Sequence, residues 1–126
     1  MNAMAALRQY QNVNTQSAVH DASPHRLIQM LMEGGLSRIA QARGSMEREE
    51  FAQKGMLIAK TVAIIGGLRE ALNFEVGGEL AHNYANLYDY MSRRLGEANR
   101  SNDVEILDEV SGLLRTLKEG WDAVAQ

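Results

Sequence analysis

The fragment that most resembles chemistry in this chain is Glu79-Leu80-Ala81-His82. On a helix, Glu-x-x-His sets a carboxylate and an imidazole on one face, the pair that each of two helices contributes to a di-iron carboxylate centre. Such a centre also needs a second pair and two further glutamates from other helices. The other two histidines, His20 and His25, have no acid three residues before them. No metal is therefore expected, and Glu79 reads as a helix-start residue with His82 on the surface. A phosphotransfer or other signalling bundle is the alternative weighed. Its active helix would carry His-x-x-Lys-Gly, whereas this chain has Phe51-Ala52-Gln53-Lys54-Gly55, and phenylalanine accepts no phosphoryl group. His20-Asp21 and the scattered serines form no nucleophile motif, and Gly66-Gly67 lacks the Lys-Ser/Thr of a phosphate loop. With no cysteine, disulfides, thiolate zinc, iron–sulfur clusters and a catalytic thiol are excluded together. Neither an enzyme nor a cofactor is expected, which leaves binding.

Composition narrows the partner. There are 13 Lys+Arg and 16 Asp+Glu in 126 residues, a formal charge of 13 − 16 = −3. Arg93-Arg94 is only a local basic pair, so nucleic acid is not expected, because phosphate neutralisation dominates that kind of affinity. No continuous apolar run approaches the roughly 20 residues of a membrane span; the one around Val62-Ala63-Ile64-Ile65 stops at Gly66. An apolar signal core is missing at the N-terminus, so the cytosol is the expected compartment. One proline, 45% hydrophobic and only 6% aromatic residues favour helices over strands.

The elements follow from spacing. Residues 1–22 are crowded with Asn and Gln, and within them Leu7, Tyr10 and Val13 recur every three residues. This short segment predicts one or two loosely attached helical turns with an apolar face. Ser23-Pro24 then starts a first helix through Leu27, Ile28, Leu31, Met32, Leu36, Ile39, Ala42 and Met46. Gly34-Gly35 interrupts it at roughly 1 kcal/mol per glycine, so close approach of a neighbouring backbone should compensate. A second helix is predicted from Phe51 to about Asn73. Its stripe of Leu57, Thr61, Ile64, Leu68, Ala71 and Leu72 is widened by Ile58, Val62 and Ile65 beyond the roughly 100° that an ordinary bundle helix buries. Either it is the central helix or it keeps apolar surface for a partner. Gly77-Gly78 breaks the chain and Glu79 opens a third helix, with Leu80, Tyr84, Leu87, Met91, Leu95 and Ala98 on one stripe. Tyr88 and Tyr90 flank that stripe on opposite sides, so one hydroxyl at least should face water or a ligand. After a polar turn at Asn99 to Asn102, Asn102 or Asp103 caps a fourth helix with Leu107, Val110, Leu114, Leu117, Trp121 and Val124 at 3-4-3-4-3 spacing. The expected fold is all-α: residues 23–126 form an antiparallel four-helix bundle about 30 Å long. A bundle with excess apolar surface and a detachable N-terminal segment suits helix-in-groove recognition, the segment covering the groove until a partner displaces it. Seven methionines agree with such an adaptable surface as well as with core packing.

The ordered set of residues resembles the flagellar export chaperone FliS family along nearly the whole chain. The resemblance runs from Tyr10-x-x-Val13 through Ala22-Ser23-Pro24-x-x-Leu27-Ile28-x-Met30-Leu31-x-Glu33-Gly34. It is strongest from Ile64-Ile65 to Asn83, including Leu72-Asn73-x-Glu75-x-Gly77-Gly78-Glu79-Leu80-Ala81, and in Leu87-Tyr88-x-Tyr90-Met91-x-x-Arg94-Leu95-x-x-Ala98-Asn99. Glu109-Val110, Leu113-Leu114, Leu117-Lys118 and Gly120-Trp121 complete it. It departs at Asp21, Met32, Gly35 and Tyr84, which touch the shape of a groove and no motif glycine. The resemblance implies a cytosolic chaperone without enzymatic activity. Its client is the disordered C-terminal segment of flagellin, kept from premature polymerisation and delivered to the flagellar type III export gate. It also implies that Leu7 and Tyr10, with Val13 beside them, cover the empty groove or dock the loaded complex on the gate's cytoplasmic domain. For the groove, Leu57, Ile58, Val62 and Ile65 of the second helix and Asn83, Leu87 and Tyr90 of the third are the expected client contacts. No stable membrane insertion is expected, and both monomer and dimer stay open.

Overall fold

A computed structural model describes residues 21–124, which form four α-helices and no strand. They are α1 (Pro24–Glu47), α2 (Phe51–Glu70), α3 (Phe74–Ser101) and α4 (Val104–Asp122). α1 and α3 each pack against α2 and α4, so the four helices form a square with sequential neighbours side by side. Contacts between helix ends fix the directions. His25 at the start of α1 meets Trp121 at the end of α4, Arg43 late in α1 meets Asp108 early in α4, and Lys54 in the first turn of α2 meets the last turn of α3. The bundle is therefore antiparallel, as the apolar spacing predicts. Leu7, Tyr10 and Val13 lie outside the described residues.

α1 begins as expected: the Ser23 hydroxyl accepts from the Arg26 N–H at 3.1 Å, and Pro24 occupies the first helical position. Gly34-Gly35, however, does not interrupt the helix, which runs through both residues. A Cβ at Gly35 would stand 2.9 Å from Leu114 Cδ2 and 3.6 Å from Ile64 Cγ2. The close approach is real, but side chains of α4 and α2 make it rather than a backbone.

α2 ends at Glu70, short of the expected Asn73. Leu57, Ile58, Thr61, Ile64, Ile65 and Leu68 are all buried, because α2 faces two neighbours at once. The Thr61 hydroxyl is satisfied within the helix, donating to Leu57 O at 2.8 Å. Lys54 is buried too. Its Nζ donates to Asn99 O (2.8 Å) and Asn102 Oδ1 (2.6 Å), placing a cation at the negative end of α3, with the Phe51 ring 5.3 Å away. By length and composition α2 could cross a membrane, though its inner half is packed in the bundle.

α3 starts earlier than Glu79. Asn73 caps it, its Oδ1 accepting from Val76 N at 3.1 Å, and Glu75 supplies the first-turn carboxylate. Gly78, at φ 52° and ψ −127°, then breaks the helical path, so Phe74–Gly77 is a separate turn. At the other end α3 runs on to Ser101, where Asn102 closes it in the left-handed conformation and Asp103 at once caps α4 by accepting from Glu105 N at 2.9 Å. Leu107, Val110 and Leu114 of α4 have no exposure at all.

Gly35 and Gly112 make opposite demands. Gly35→Val should lower unfolding free energy by about 2 kcal/mol or more, since the added atoms drive into Leu114 and Ile64. Gly112→Ala, where a Cβ meets nothing within 4 Å, should raise it by about 1 kcal/mol. Chemical denaturation of the two variants measures both.

Candidate functional site

Among the described residues, this packing leaves two apolar surfaces uncovered. The first is a cleft of about 490 Å³ at the end of the bundle where α2 passes into α3 and α4 finishes. Ile28 and Met32 of α1, Leu68 and Leu72 from the α2 end, Val76, Leu80, Tyr84 and Tyr88 of α3, and Leu117 and Trp121 of α4 line it, with Val124 beyond. Among the described residues that line it, none is charged. The separate turn that Gly78 creates carries Val76, which is 85% exposed, and Leu80 just after the break is 59% exposed. Each forgoes roughly 1.5–3 kcal/mol of burial by remaining in water. Contiguous apolar exposure of this kind marks an interaction site.

The second surface is the outer side of α2. Ala52, Met56 and Ala59 are exposed and Ala63 and Gly66 half-buried, at steps of four, three, four and three. A Cβ at Gly66 would meet nothing within 4 Å, so the strip is open as well as uncharged; Lys60 stands on its flank. A helix that is apolar on nearly every side is ordinarily enclosed on every side. Here α1 and α3 enclose only the inner part.

The residues expected from sequence to line a groove separate in the structure. Leu57, Ile58 and Ile65 sit in the core at 6%, 3% and 1% exposure. Val62 and Leu87 are half-buried against that core, and Asn83 is exposed. Tyr90 is half-buried, and its hydroxyl donates to Glu109 Oε2 at 2.5 Å rather than to water, while Arg94 Nε donates to Oε1 of the same carboxylate at 2.8 Å. These two hydrogen bonds, the Tyr90 one foremost, hold the Glu109 carboxyl below its ordinary range. None of the seven lines the cleft. Sequence reasoning missed Val76 and Trp121 as wall residues because one stands before a supposed break and the other fits a core stripe. Glu79 and His82 are both exposed, and the His82 ring packs on Phe74 with centroids 4.7 Å apart. Among the described residues no three His, Asp or Glu side chains gather as a metal site would require. In the Phe51–Gly55 stretch, Lys54 is engaged with the end of α3.

Comparison with known proteins places this arrangement. The family model described as "Flagellar protein FliS" matches residues 6–126. The flagellar secretion chaperone FliSB of Pseudomonas aeruginosa is 61% identical over 125 residues, covering 99% of each chain. The flagellar secretion chaperone FliS of Salmonella typhimurium is 41% identical over 126 residues, covering 99% of this chain and 93% of its own. That of Escherichia coli is 38% identical over 122 residues, covering 96% and 90%.

Tyr88 reports on the cleft floor. Burial first, and Tyr84 second, push its phenol from 10.0 up to about 12. The folded protein keeps this proton where the unfolded chain gives it up, so the stability it contributes is complete below about pH 10 and lost as pH rises through about 12. Tyr88→Phe should therefore remove the transition near pH 12 from an absorbance titration at the tyrosinate band, and should lessen the alkaline loss of thermal stability.

Proposed function

The chain belongs to the FliS family, and from that membership we propose that it is a flagellar export chaperone that captures the disordered C-terminal segment of flagellin in the cytosol. Capture keeps the segment from driving premature polymerisation and keeps the client fit for delivery to the type III export gate. No bond is made or broken. The observation that carries the reading is the uncharged apolar surface itself: a cleft whose rim leaves Val76 85% exposed, together with an open strip along α2. A disordered client loses conformational entropy on ordering, so a tight complex needs extensive apolar contact. A cleft plus four turns of bare helix supports that requirement better than either alone.

In this reading side chains of the client enter the cleft beside Leu80 and Trp121, and a helical piece lies on the small residues of α2. Val62, Asn83, Leu87 and Tyr90 border the bound segment, and Leu57, Ile58 and Ile65 support it from the inner side of α2. Leu7, Tyr10 and Val13 serve as cover for the empty surface and as the docking element for the export gate. The α1 start, where that segment joins the bundle, contributes Ile28 to the cleft, which supports the idea of a cover.

Calorimetry with a peptide of about the last 40 residues of the cognate flagellin, a length suited to a helix-in-groove client, tests capture directly. Heat of binding at micromolar concentration is expected, and its absence sinks the reading. Val76→Asp and Leu80→Asp should each weaken the peptide by about tenfold or more while leaving the thermal midpoint nearly unchanged, because both side chains already stand in water. Tyr10→Ala should not weaken the peptide, since it loosens a cover rather than a client contact, and should reduce flagellin secretion and motility; unchanged secretion would remove the docking role.

A further inference from the structure

Trp121 is the only tryptophan in the chain, and it forms part of the cleft wall. Its indole lies on the His25 imidazole with ring centroids 4.8 Å apart and planes within 11° of parallel. Two hydrogen bonds join the same residues in opposite directions: Trp121 Nε1 donates to His25 O at 2.9 Å, and His25 Nε2 lies 2.8 Å from Trp121 O. A carbonyl only accepts, so Nε2 carries the hydrogen in this contact. The ring's other nitrogen, Nδ1, is buried and has no partner among the described residues. Burying an unpaired acceptor is unfavourable, so nothing about Nδ1 accounts for a histidine here. What the imidazole does provide is a flat ring against the indole and one donor towards the α4 backbone. The pairing of the helix ends has independent support, because Gln29 Nε2 of α1 donates to Asp122 Oδ1 at 2.7 Å, while Lys118 Nζ, within α4, holds the other oxygen of that carboxylate at 2.6 Å.

From this geometry we propose that His25 is a positioning residue of the apolar cleft, holding the Trp121 indole in the plane against which a bound apolar segment packs. The inference rests on the cleft being the client site and names the group that preorganises it. A wall held in place before binding needs no further ordering when the segment arrives, so the complex dissociates more slowly.

The single tryptophan makes this testable in the full chain. In His25→Ala the indole should gain a fast component in its anisotropy decay and its emission should move to the red. The flagellin peptide should leave about ten times faster. His25→Phe keeps a flat ring, and the Trp121 carbonyl still accepts from Val124 N at 3.1 Å, so both signals should return to within about twofold of wild type. Trp121→Leu should weaken the peptide as well, and adding His25→Ala to it should cost nothing more, because His25 acts only through the indole. Additive losses or no rescue by phenylalanine would make His25 merely structural and overturn the proposal. So would an indole as rigid in His25→Ala as in wild type. If the peptide fails to bind wild type, the client reading falls, and the anisotropy comparison still decides whether His25 fixes the indole.

Discussion

Three helices meet where α1 has no side chain. At Gly35 the tip of Leu114 from α4 stands 2.9 Å from where a Cβ would be, and Ile64 from α2 stands 3.6 Å away. Because both neighbours use one gap, α1 can lie close to α2 and α4 together, which a bulkier residue would prevent. Much else follows from that closeness. It brings the start of α1 against the end of α4, and so lets His25 and Trp121 stack. It leaves α3 paired with the far sides of α2 and α4, where Arg69 reaches Asp89 and Arg94 reaches Glu109, both at 2.8 Å. Those ion pairs are about two-fifths exposed and screened by solvent, so they contribute little and fit a register that apolar packing has already set.

The two ends of the bundle are built by different physics. At one, a buried lysine fills the space between α2 and α3, its ammonium spent on a helix-end carbonyl and the Asn102 side chain. A cation at the negative end of a helix dipole is well placed, and the end is closed. At the other, Gly78 breaks α3 and the connecting residues 71–73 carry no bulky polar cover. The result is an apolar cleft with tyrosine and tryptophan in its walls and Val76 and Leu80 at its rim. A bundle closed at one pole and open at the other offers a directional surface, which an extended client can enter at one place and follow along α2.

Apolar content thus serves two ends in this chain. The core proper is supplied by residues such as Leu31, Ile65, Met91, Leu95 and Leu107, none exposed by more than 1%. The remainder lies on α2's outer strip and around the cleft, where the four described helices leave it uncovered. For an export chaperone the arrangement is economical: capture, protection and release require affinity and no reaction, so the absence of a catalytic constellation in the sequence and the presence of uncovered apolar surface belong to one description.

Much of the fold was legible because helices announce themselves locally. Ser23-Pro24, Asp103 and the 3-4 spacing of Leu107 to Leu114 depend on neighbours within one or two turns, and each behaves in the structure as its spacing requires. Boundaries went astray where two local signals competed. Apolar spacing carries α2 on to Asn73, whose side chain instead caps α3, and the carboxylate of Glu79 looks like a start although Asn73 already bonds Val76 N. The site was harder to read, since helical periodicity reports that a residue is on an apolar stripe and not which neighbour covers it. Leu57, Ile58 and Ile65 share a stripe with partly open Val62, yet two flanking helices bury the first three. By itself the sequence determined an all-helical, cysteine-free bundle of FliS character with more apolar surface than a small core needs. Tertiary structure alone decided where that surface lies and that His25 and Trp121, 96 residues apart, share a face. Such contacts depend on which helices are adjacent and how their ends align, and no spacing within a single helix encodes that.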